Sequence, residues 1–313
     1  MSLMLVALLT GAAAADSERP SALDSETVGA ARVVSAPDAP LAFDPQAWAQ
    51  VQQPTAGPAR VVGDYSRGCL AGAVVLPEFG PGYQLMRPVR QRGYGHPASI
   101  AFVRNLAAAM HKLKVEPLLV GDLAQPRGGP APSGHASHQT GLDVDLWYGH
   151  PPEAALRRLT VAERNEEPMP QVVDLASRTL TKGWQPRMAE VLRLAAQAAD
   201  VDRIFVHPRI KKTLCETTSQ APTQDRAWLA KLRPWWGHHD HFHVRLACPS
   251  DSPDCQRQQP LSGDLGCDAK LDWWFTEDSS ASLSRRKQSQ PTAAERTLPA
   301  ACRAILDAGF PSR

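Results

Sequence analysis

The chain has 313 residues, with 34 Lys and Arg against 32 Asp and Glu, which gives a formal net charge of +2. At about 150 residues per domain this length allows one or two domains, and we expect one domain with tails. The small, unclustered charge argues against nucleic acid as a partner. No apolar run beyond the first residues reaches the roughly 18 needed to span a bilayer, so we expect no transmembrane anchor.

The N-terminus has the features of a secretory signal. Residues 3–9 are apolar, and Ala13-Ala14-Ala15 before Asp16 offers a small-residue cleavage site, although the basic segment of an ordinary signal is missing. We interpret residues 1–15 as a signal peptide. Residues 16–60 are rich in Ala, Pro, Asp and Ser without periodicity, and they predict a flexible leader.

The folded domain is predicted for residues 61–275. Apolar residues recur at helical spacing after Ser99, which is the candidate N-cap, and again over 186–199. Short strands are predicted at 118–120 and 203–207, with a short helix at 225–232. Residues 126–134 form a Pro- and Gly-rich loop, and residues 151–182, which are weakly patterned, are assigned to a groove wall. We interpret residues 276–313 as a low-complexity tail held at its end by Cys302.

This pattern of helices and short alternating strands, without regular βαβ units, predicts an α+β domain. We expect a small antiparallel sheet with flanking helices.

Two stretches carry the candidate chemistry. WWGHHDHFHVR (residues 235–245) holds four of the ten histidines, and GHASHQTGLDVD (residues 134–145) holds two more with two carboxylates. In a strand alternate side chains share a face, so His241 and His243 lie together, opposite Phe242 and Val244. The same alternation places Asp143 and Asp145 away from the apolar residues between them, and it leaves open which of the two carboxylates is used.

We interpret the two stretches as one zinc site. Catalytic zinc takes three nitrogen or oxygen ligands and keeps one position for water, which His and carboxylate side chains fit better than thiolates do. No His-Glu-x-x-His sequence occurs in the chain, so a histidine must act as the general base.

The chain has six cysteines, an even number, and no Cys-x-x-Cys pair. In an exported protein this predicts disulfides. Six cysteines allow 15 pairings, and only Cys248 with Cys255 is suggested by a short intervening loop.

Several other residues have structural interpretations. We expect His96, His111, His150 and His207 to be structural. The Trp235-Trp236 and Trp273-Trp274 pairs are interpreted as core residues, because only one indole of each pair can face a given side.

In these two stretches the sequence resembles the penicillin-insensitive murein endopeptidases. These are zinc peptidases grouped with the lysostaphin-type, D-alanyl-D-alanine peptidase and hedgehog-like folds. Residues 134–145 match the family's first motif throughout, and HFHVR (residues 241–245) matches a second. Further similarity runs from about Val61 to Cys302.

The resemblance implies a role for each site residue. His138, Asp145 and His243 are expected to bind one zinc ion, with His135 as a further ligand close to the metal. His241 is expected to act as general base or transition-state donor, with His238 beside it. The implied disulfides join Cys69 to Cys302, Cys215 to Cys267 and Cys248 to Cys255. A peripheral second zinc site of the family is not expected, because Arg178-Thr179-Leu180-Thr181 offers neither the Asp nor the His that it needs.

The implied substrate is periplasmic cross-linked peptidoglycan, cut between D-alanine and meso-diaminopimelate. A zinc D-alanyl-D-alanine carboxypeptidase or dipeptidase is one alternative, and a non-catalytic zinc- or wall-binding module is another. The sequence leaves open whether the chain forms a homodimer.

Overall fold

The structure is a computed structural model, which describes residues 39–113, 117–133, 135–279, 281–282 and 296–309. The predicted signal peptide and most of the predicted leader lie outside these residues. No helix in the described ranges is both long and apolar enough to cross a membrane.

The strands are short and numerous. They are β1 (Leu41–Ala42), β2 (Arg60–Asp64), β3 (Arg67–Ala71), β4 (Val74–Val75), β5 (Phe79–Gly80), β6 (Tyr83–Leu85), β7 (Tyr94–Gly95), β8 (Leu118–Val120), β9 (Asp143–Trp147), β10 (Val173–Asp174), β11 (Thr179–Leu180), β12 (Val201–Val206), β13 (Leu232–Pro234), β14 (His241–Leu246) and β15 (Thr297–Leu298).

Helices connect and flank these strands. The α-helices are α1 (Pro45–Ala49), α2 (Pro97–Lys112), α3 (Pro152–Leu156), α4 (Val161–Glu166), α5 (Arg187–Gln197), α6 (Pro208–Thr217), α7 (Ala269–Asp272) and α8 (Ala301–Asp307), and 3-10 turns span Pro88–Arg90, Thr223–Lys231 and Trp273–Phe275.

The main sheet has seven strands in the order β13-β12-β14-β9-β8-β6-β5. The pairs β12/β13 and β6/β8 are parallel, whereas the central pairs β12/β14, β14/β9 and β9/β8 are antiparallel. The α+β class is therefore confirmed, but the prediction of a small antiparallel sheet is wrong in size and in strand direction. The added strands have two or three residues, which is too short for an alternating pattern to show.

One face of the sheet packs against α2 and α5. Alternate residues of the central strands, Val144, Leu146, Phe242 and Val244, are fully buried in the same core as the apolar faces of these helices. Each large apolar side chain buried this way contributes about 1.5–3 kcal/mol. The other face of β9 and β14 is thereby left to polar side chains.

The helix α2 begins one turn earlier than predicted. Pro97 occupies its first turn, and His96 is the N-cap because its Nδ1 accepts a hydrogen bond of 3.2 Å from the Ala98 backbone N–H. Ser99, the predicted N-cap, is instead buried inside the helix, where its hydroxyl donates to the Gly141 carbonyl. His207 caps α6 in the same way as His96 caps α2. Both histidines have the structural role that the sequence predicted.

A second, smaller core extends beyond the predicted domain limits at both ends. Leu41, Trp48 and Leu298 are buried together with Cys69 and Cys302, and β1 pairs with β15. The part of the predicted leader that the structure describes is therefore not without structure, and the predicted tail likewise returns to the domain. A Cβ at Gly129 would lie 2.1 Å from the Trp48 ring, so this contact requires glycine.

Three disulfides join Cys69 to Cys302, Cys215 to Cys267 and Cys248 to Cys255. All three implied pairs are confirmed. The first connects β3 to α8 across 233 residues of sequence, so it joins the two segments of the smaller core.

Candidate metal centre

The candidate centre is built on the two central strands. In the antiparallel pair β9/β14, His243 lies directly opposite Asp145 and Arg245 lies directly opposite Asp143. Because both strands place their apolar residues in the core, these four polar side chains share the other face. The two predicted stretches are thus adjacent in the sheet.

The loop before β9 brings two more histidines to this face. His138 has a φ of +67°, in the left-handed region that non-glycine residues seldom occupy. Its backbone N–H donates to Asp143 Oδ2 over 3.0 Å, and its Nδ1 lies 2.6 Å from the Leu123 carbonyl oxygen. Gly141 also has a positive φ, and a Cβ there would lie 2.4 Å from Leu70 Cδ2. The loop is therefore held in one conformation by specific contacts.

Imidazole nitrogens converge on the Asp145 carboxylate. Asp145 Oδ1 lies 3.1 Å from His243 Nδ1 and 3.3 Å from His138 Nε2. His241 Nε2 is 3.7 Å from the same oxygen, and His135 Nε2 is 3.1 Å from Oδ2. All the residues predicted to bind zinc therefore lie together. The candidate ligand atoms of three residues lie within 4.8 Å of one another, and these residues are His135, His138 and Asp145. His243 joins them through its contact with Asp145.

The hydrogen-bond partners assign the tautomers of two of these rings. His138 Nδ1 must donate to the Leu123 carbonyl, and His243 Nε2 donates to Asp143 Oδ1 over 2.8 Å. In the neutral rings His138 Nε2 and His243 Nδ1 then carry lone pairs that face Asp145 Oδ1. Within the described part of the chain, His138 Nε2 and Asp145 Oδ1 are buried without a hydrogen-bond partner.

Lone pairs that face a carboxylate repel unless a cation or a proton lies between them. A tetrahedral ion with bonds of about 2.0–2.1 Å separates its ligands by about 3.3 Å, which matches the 3.1 and 3.3 Å contacts of Asp145 Oδ1. A set of two imidazoles and one carboxylate fits zinc chemically. The residues present thus fit a zinc ion.

The charges of the centre are strongly coupled. Burial lowers the pKa of His138, but the attraction of Asp145 outweighs it and raises that pKa to about 9. Burial acts to raise the pKa of Asp145, yet His138, His241 and His135 hold it well below its ordinary value. Without a metal the site therefore binds a proton where a cation would bind.

Asp143 supports the centre from within the protein. Its Oδ1 accepts hydrogen bonds from His243 Nε2 and from Arg245 Nε at 2.8 and 2.7 Å, and the residue is fully buried. Alternation along β9 could not separate Asp143 from Asp145. The structure separates them, because Asp145 faces the convergent nitrogens while Asp143 orients His243 and the His138 backbone.

Asp122 belongs to the site, but the sequence predicted only the strand at 118–120 that precedes it. Its Oδ2 lies 3.5 Å from His135 Nε2 and pairs with Arg92 and Arg90 at 2.8 and 3.2 Å. Burial would raise its pKa, but the hydrogen bond with His135 and the charge of Arg92 lower it to about 2. Its position directly after β8, the neighbour of β9, is the signal that could have identified it.

His241 is oriented differently from His243. Its Nδ1 lies 2.7 Å from Asp240 Oδ1, so this nitrogen donates to the carboxylate and Nε2 faces Asp145 and the groove. Burial lowers the pKa of His241, but Asp145 and Asp240 outweigh it, and the net pKa is raised. This Asp–His pair has the geometry of an oriented general base.

His238 lies beside His241, with ring centroids 5.1 Å apart. Its Nδ1 is within 3.1–3.2 Å of the carbonyl oxygens of Trp236 and Trp235, so it donates to them. Burial, followed by the neighbouring His241 and His243, lowers its pKa well below the ordinary value. His238 is therefore a neutral ring at pH 7, with Nε2 left as an acceptor.

The centre opens into a groove. A cavity of about 430 Å³ runs past His135, His238, His241 and His243 to an aromatic wall that includes Trp235. Trp235 and Trp273 are each 41% exposed, so the prediction that they are core residues is wrong. A second cavity of about 320 Å³ shares Tyr65, Arg245 and Gln258 with the first. The two cavities are thus adjacent, with these three residues between them.

Comparisons with known proteins agree with the resemblance. A family model described as penicillin-insensitive murein endopeptidase matches residues 61–307. A protein of that name from Escherichia coli strain K12 is 40% identical over 288 residues, covering 90% of this chain and 98% of that protein. The protein of the same name from Yersinia enterocolitica is 39% identical over 268 residues, and that from Klebsiella pneumoniae is 38% identical over 264 residues. These alignments cover 84% and 83% of this chain and 91% and 90% of the two relatives. The chain belongs to the penicillin-insensitive murein endopeptidase family.

Proposed function

We propose that the protein is a zinc-dependent murein DD-endopeptidase, which hydrolyses the bond between D-alanine and meso-diaminopimelate in periplasmic peptidoglycan. The observation that carries the proposal is the convergence of the His138 and His243 lone pairs on Asp145, all buried at the floor of an open groove. The disulfides and the family's murein substrate support the location.

His138, Asp145 and His243 would hold the ion, with His135 available as a further ligand. Zinc, when bound, lowers the pKa of a coordinated water to about 7 and polarises the scissile carbonyl. This chemistry needs no serine nucleophile.

His241 transfers the proton of the attacking water during hydrolysis. With Nδ1–H committed to Asp240, the ring presents Nε2 to the groove as an acceptor. It takes a proton from the attacking water and gives it to the leaving amine of meso-diaminopimelate. His238, which is neutral, lines the same groove and accepts a hydrogen bond from substrate or water.

The second cavity beside the histidine groove favours an endopeptidase over a carboxypeptidase. A carboxypeptidase releases a single D-alanine, so beyond the scissile bond it needs space for one methyl group and one carboxylate. The second cavity of about 320 Å³ is large enough for more of a peptide. A cross-linked substrate supplies that peptide, because a stem continues on each side of the bond.

The test is digestion of isolated sacculi by the zinc-loaded protein. We expect release of monomeric muropeptides, no release after 1,10-phenanthroline treatment, and recovery when zinc is returned. His241→Ala is the matched control, because it should keep zinc and lose turnover. Loss of terminal D-alanine from a pentapeptide monomer, without cleavage of cross-links, would favour the carboxypeptidase. Unchanged phenotypes in His241→Ala would favour a binding module.

A further inference from the structure

The second cavity has a rigid wall that the catalytic proposal does not use. The loop after β14 is closed by the Cys248–Cys255 disulfide. It is joined to β2 by backbone hydrogen bonds from Gly63 N–H to the Asp254 carbonyl and from Gln256 N–H to the Gly63 carbonyl, at 3.0 and 2.9 Å. This loop contributes residues 255–258 to the lining of the cavity, together with Tyr65 and the end of β14.

Arg245 forms the partition between this cavity and the histidine groove. It is 6% exposed, its Cζ lies 3.6 Å from the centre of the Tyr65 ring, and one NH group donates to Gln258 Oε1 over 3.0 Å. Nε donates to Asp143, the residue that orients His243. The guanidinium has five N–H donors, and these two hydrogen bonds leave three for a ligand.

The charges around the cavity leave an excess of one cation. Asp143 balances Arg245, and the cavity residue Asp202 is balanced by Arg203 Nε at 2.6 Å. Arg257 also lines the cavity, is exposed, and has no hydrogen bond or ion pair to any residue that the structure describes. An arginine that lines a cavity without a partner is suited to bind a carboxylate in a bidentate manner.

We propose that this cavity is the subsite for the leaving half of the cross-link, and that Arg257, with the remaining donors of Arg245, binds the free carboxylate of meso-diaminopimelate. The inference rests on the proposed function. In that substrate the carbon that bears the scissile nitrogen also bears a carboxylate, so this anion must lie next to the metal centre. Arg245 separates the centre from the cavity, which puts the cavity at the required place.

The test is a charge-deletion cycle on the full chain. Two synthetic cross-linked peptide dimers are compared, one with this carboxylate free and one with it amidated, using wild type and Arg257→Gln. We expect Arg257→Gln alone, or amidation of the carboxylate alone, to lower kcat/KM roughly tenfold, the equivalent of about 1.4 kcal/mol. The two changes together should lower kcat/KM only slightly more than either one does. Arg257→Lys should recover part of the loss, because it restores the charge without the planar pair of donors.

Arg104→Gln is the matched control, since Arg104 is an exposed arginine of α2 and does not line the cavity. It should behave as wild type with both dimers. If the losses in kcat/KM from Arg257→Gln and from amidation are additive while the wild type is active, the subsite is refuted and the proposed function stands.

A second cycle separates the proposed subsite from the proposed activity. It compares the same two dimers and the same two proteins, without zinc, by their Kd values from calorimetry. Coupled losses of affinity, together with no turnover of either dimer by the zinc-loaded protein, would refute the activity and support the subsite. Absence of binding by either dimer, or additive losses in Kd, would contradict the subsite.

Discussion

The loop of residues 135–142 and the strand β14 both supply histidines to the centre, but they fix them by different means. Sheet register places the backbone of His241 and His243 opposite Trp147 and Asp145, and hydrogen bonds to Asp240 and Asp143 then orient the two rings. The loop has no register, so it relies on a positive φ at His138 and on side-chain contacts with Asp143 and the Leu123 carbonyl. The backbone positions of the strand histidines are therefore set by the sheet, whereas the backbone position of His138 depends on a few local contacts.

The largest effect should follow loss of a ligand from either region. His138→Ala and His243→Ala should each release zinc and lower kcat/KM by at least about 10³-fold, since the ion supplies several kcal/mol of transition-state stabilisation. Metal analysis after gel filtration, together with sacculus digestion, measures both losses. A variant that keeps stoichiometric zinc would show that the replaced histidine is not a ligand.

The two histidines of β14 should then separate by role. His241→Ala should lose about 10²–10⁴-fold in kcat, the usual contribution of a general acid–base group, while it retains zinc. His243→Ala is the comparison, because it lies on the same face of the same strand. Equal zinc loss in both would make His241 a ligand and refute its assignment as the base.

Asp143 joins the two regions, since it binds the loop at the His138 N–H and the strand at His243. Asp143→Asn should weaken zinc binding by roughly 10–100-fold, as is typical when the partner of a ligating histidine is altered. Asp240→Asn is the control, because Asp240 orients His241 and no expected ligand. It should slow turnover while the zinc Kd from chelator competition stays unchanged. Matching Kd values for the two variants would contradict this division.

The last prediction concerns pH and tests the loop histidine His138 in the zinc-free protein. The folded pKa of His138 is raised to about 9 from an unfolded value of about 6.5. The protonated ring therefore stabilises the zinc-free fold fully below pH 6.5, and this contribution, up to about 3 kcal/mol, is lost as pH rises to 9. Denaturant unfolding across this range should show the decline in wild type and not in His138→Gln. Zinc affinity should rise over the same interval, because the metal displaces the proton.

Alternation along two strands was enough to predict which side chains of the site share a face. It could not choose between Asp143 and Asp145, because both lie on that face and differ in their tertiary contacts: Asp143 bonds to Arg245, and Asp145 faces His138. Asp122 is contributed by a third strand, and its role depends on strand adjacency that no local pattern reports.

The rest of the fold escaped prediction for related reasons. Strands of two or three residues, such as β5 and β13, have no measurable period. Trp48 lies in a segment whose composition predicts flexibility, and it is ordered only because it packs on Gly129 and against the smaller core. Trp273, in the 3-10 turn of residues 273–275, is 41% exposed although its apolar indole favoured burial.

The Cys69–Cys302 bridge encloses both segments of the metal centre in a single covalent loop. During synthesis it can close only after residues 135–145 and 238–243 have been made, so oxidation is a late step that follows completion of the hydrolytic machinery. In a compartment that keeps thiols reduced the protein would lose about 2–4 kcal/mol for each open bridge. An oxidising environment would therefore favour the fold in which all three bridges are closed.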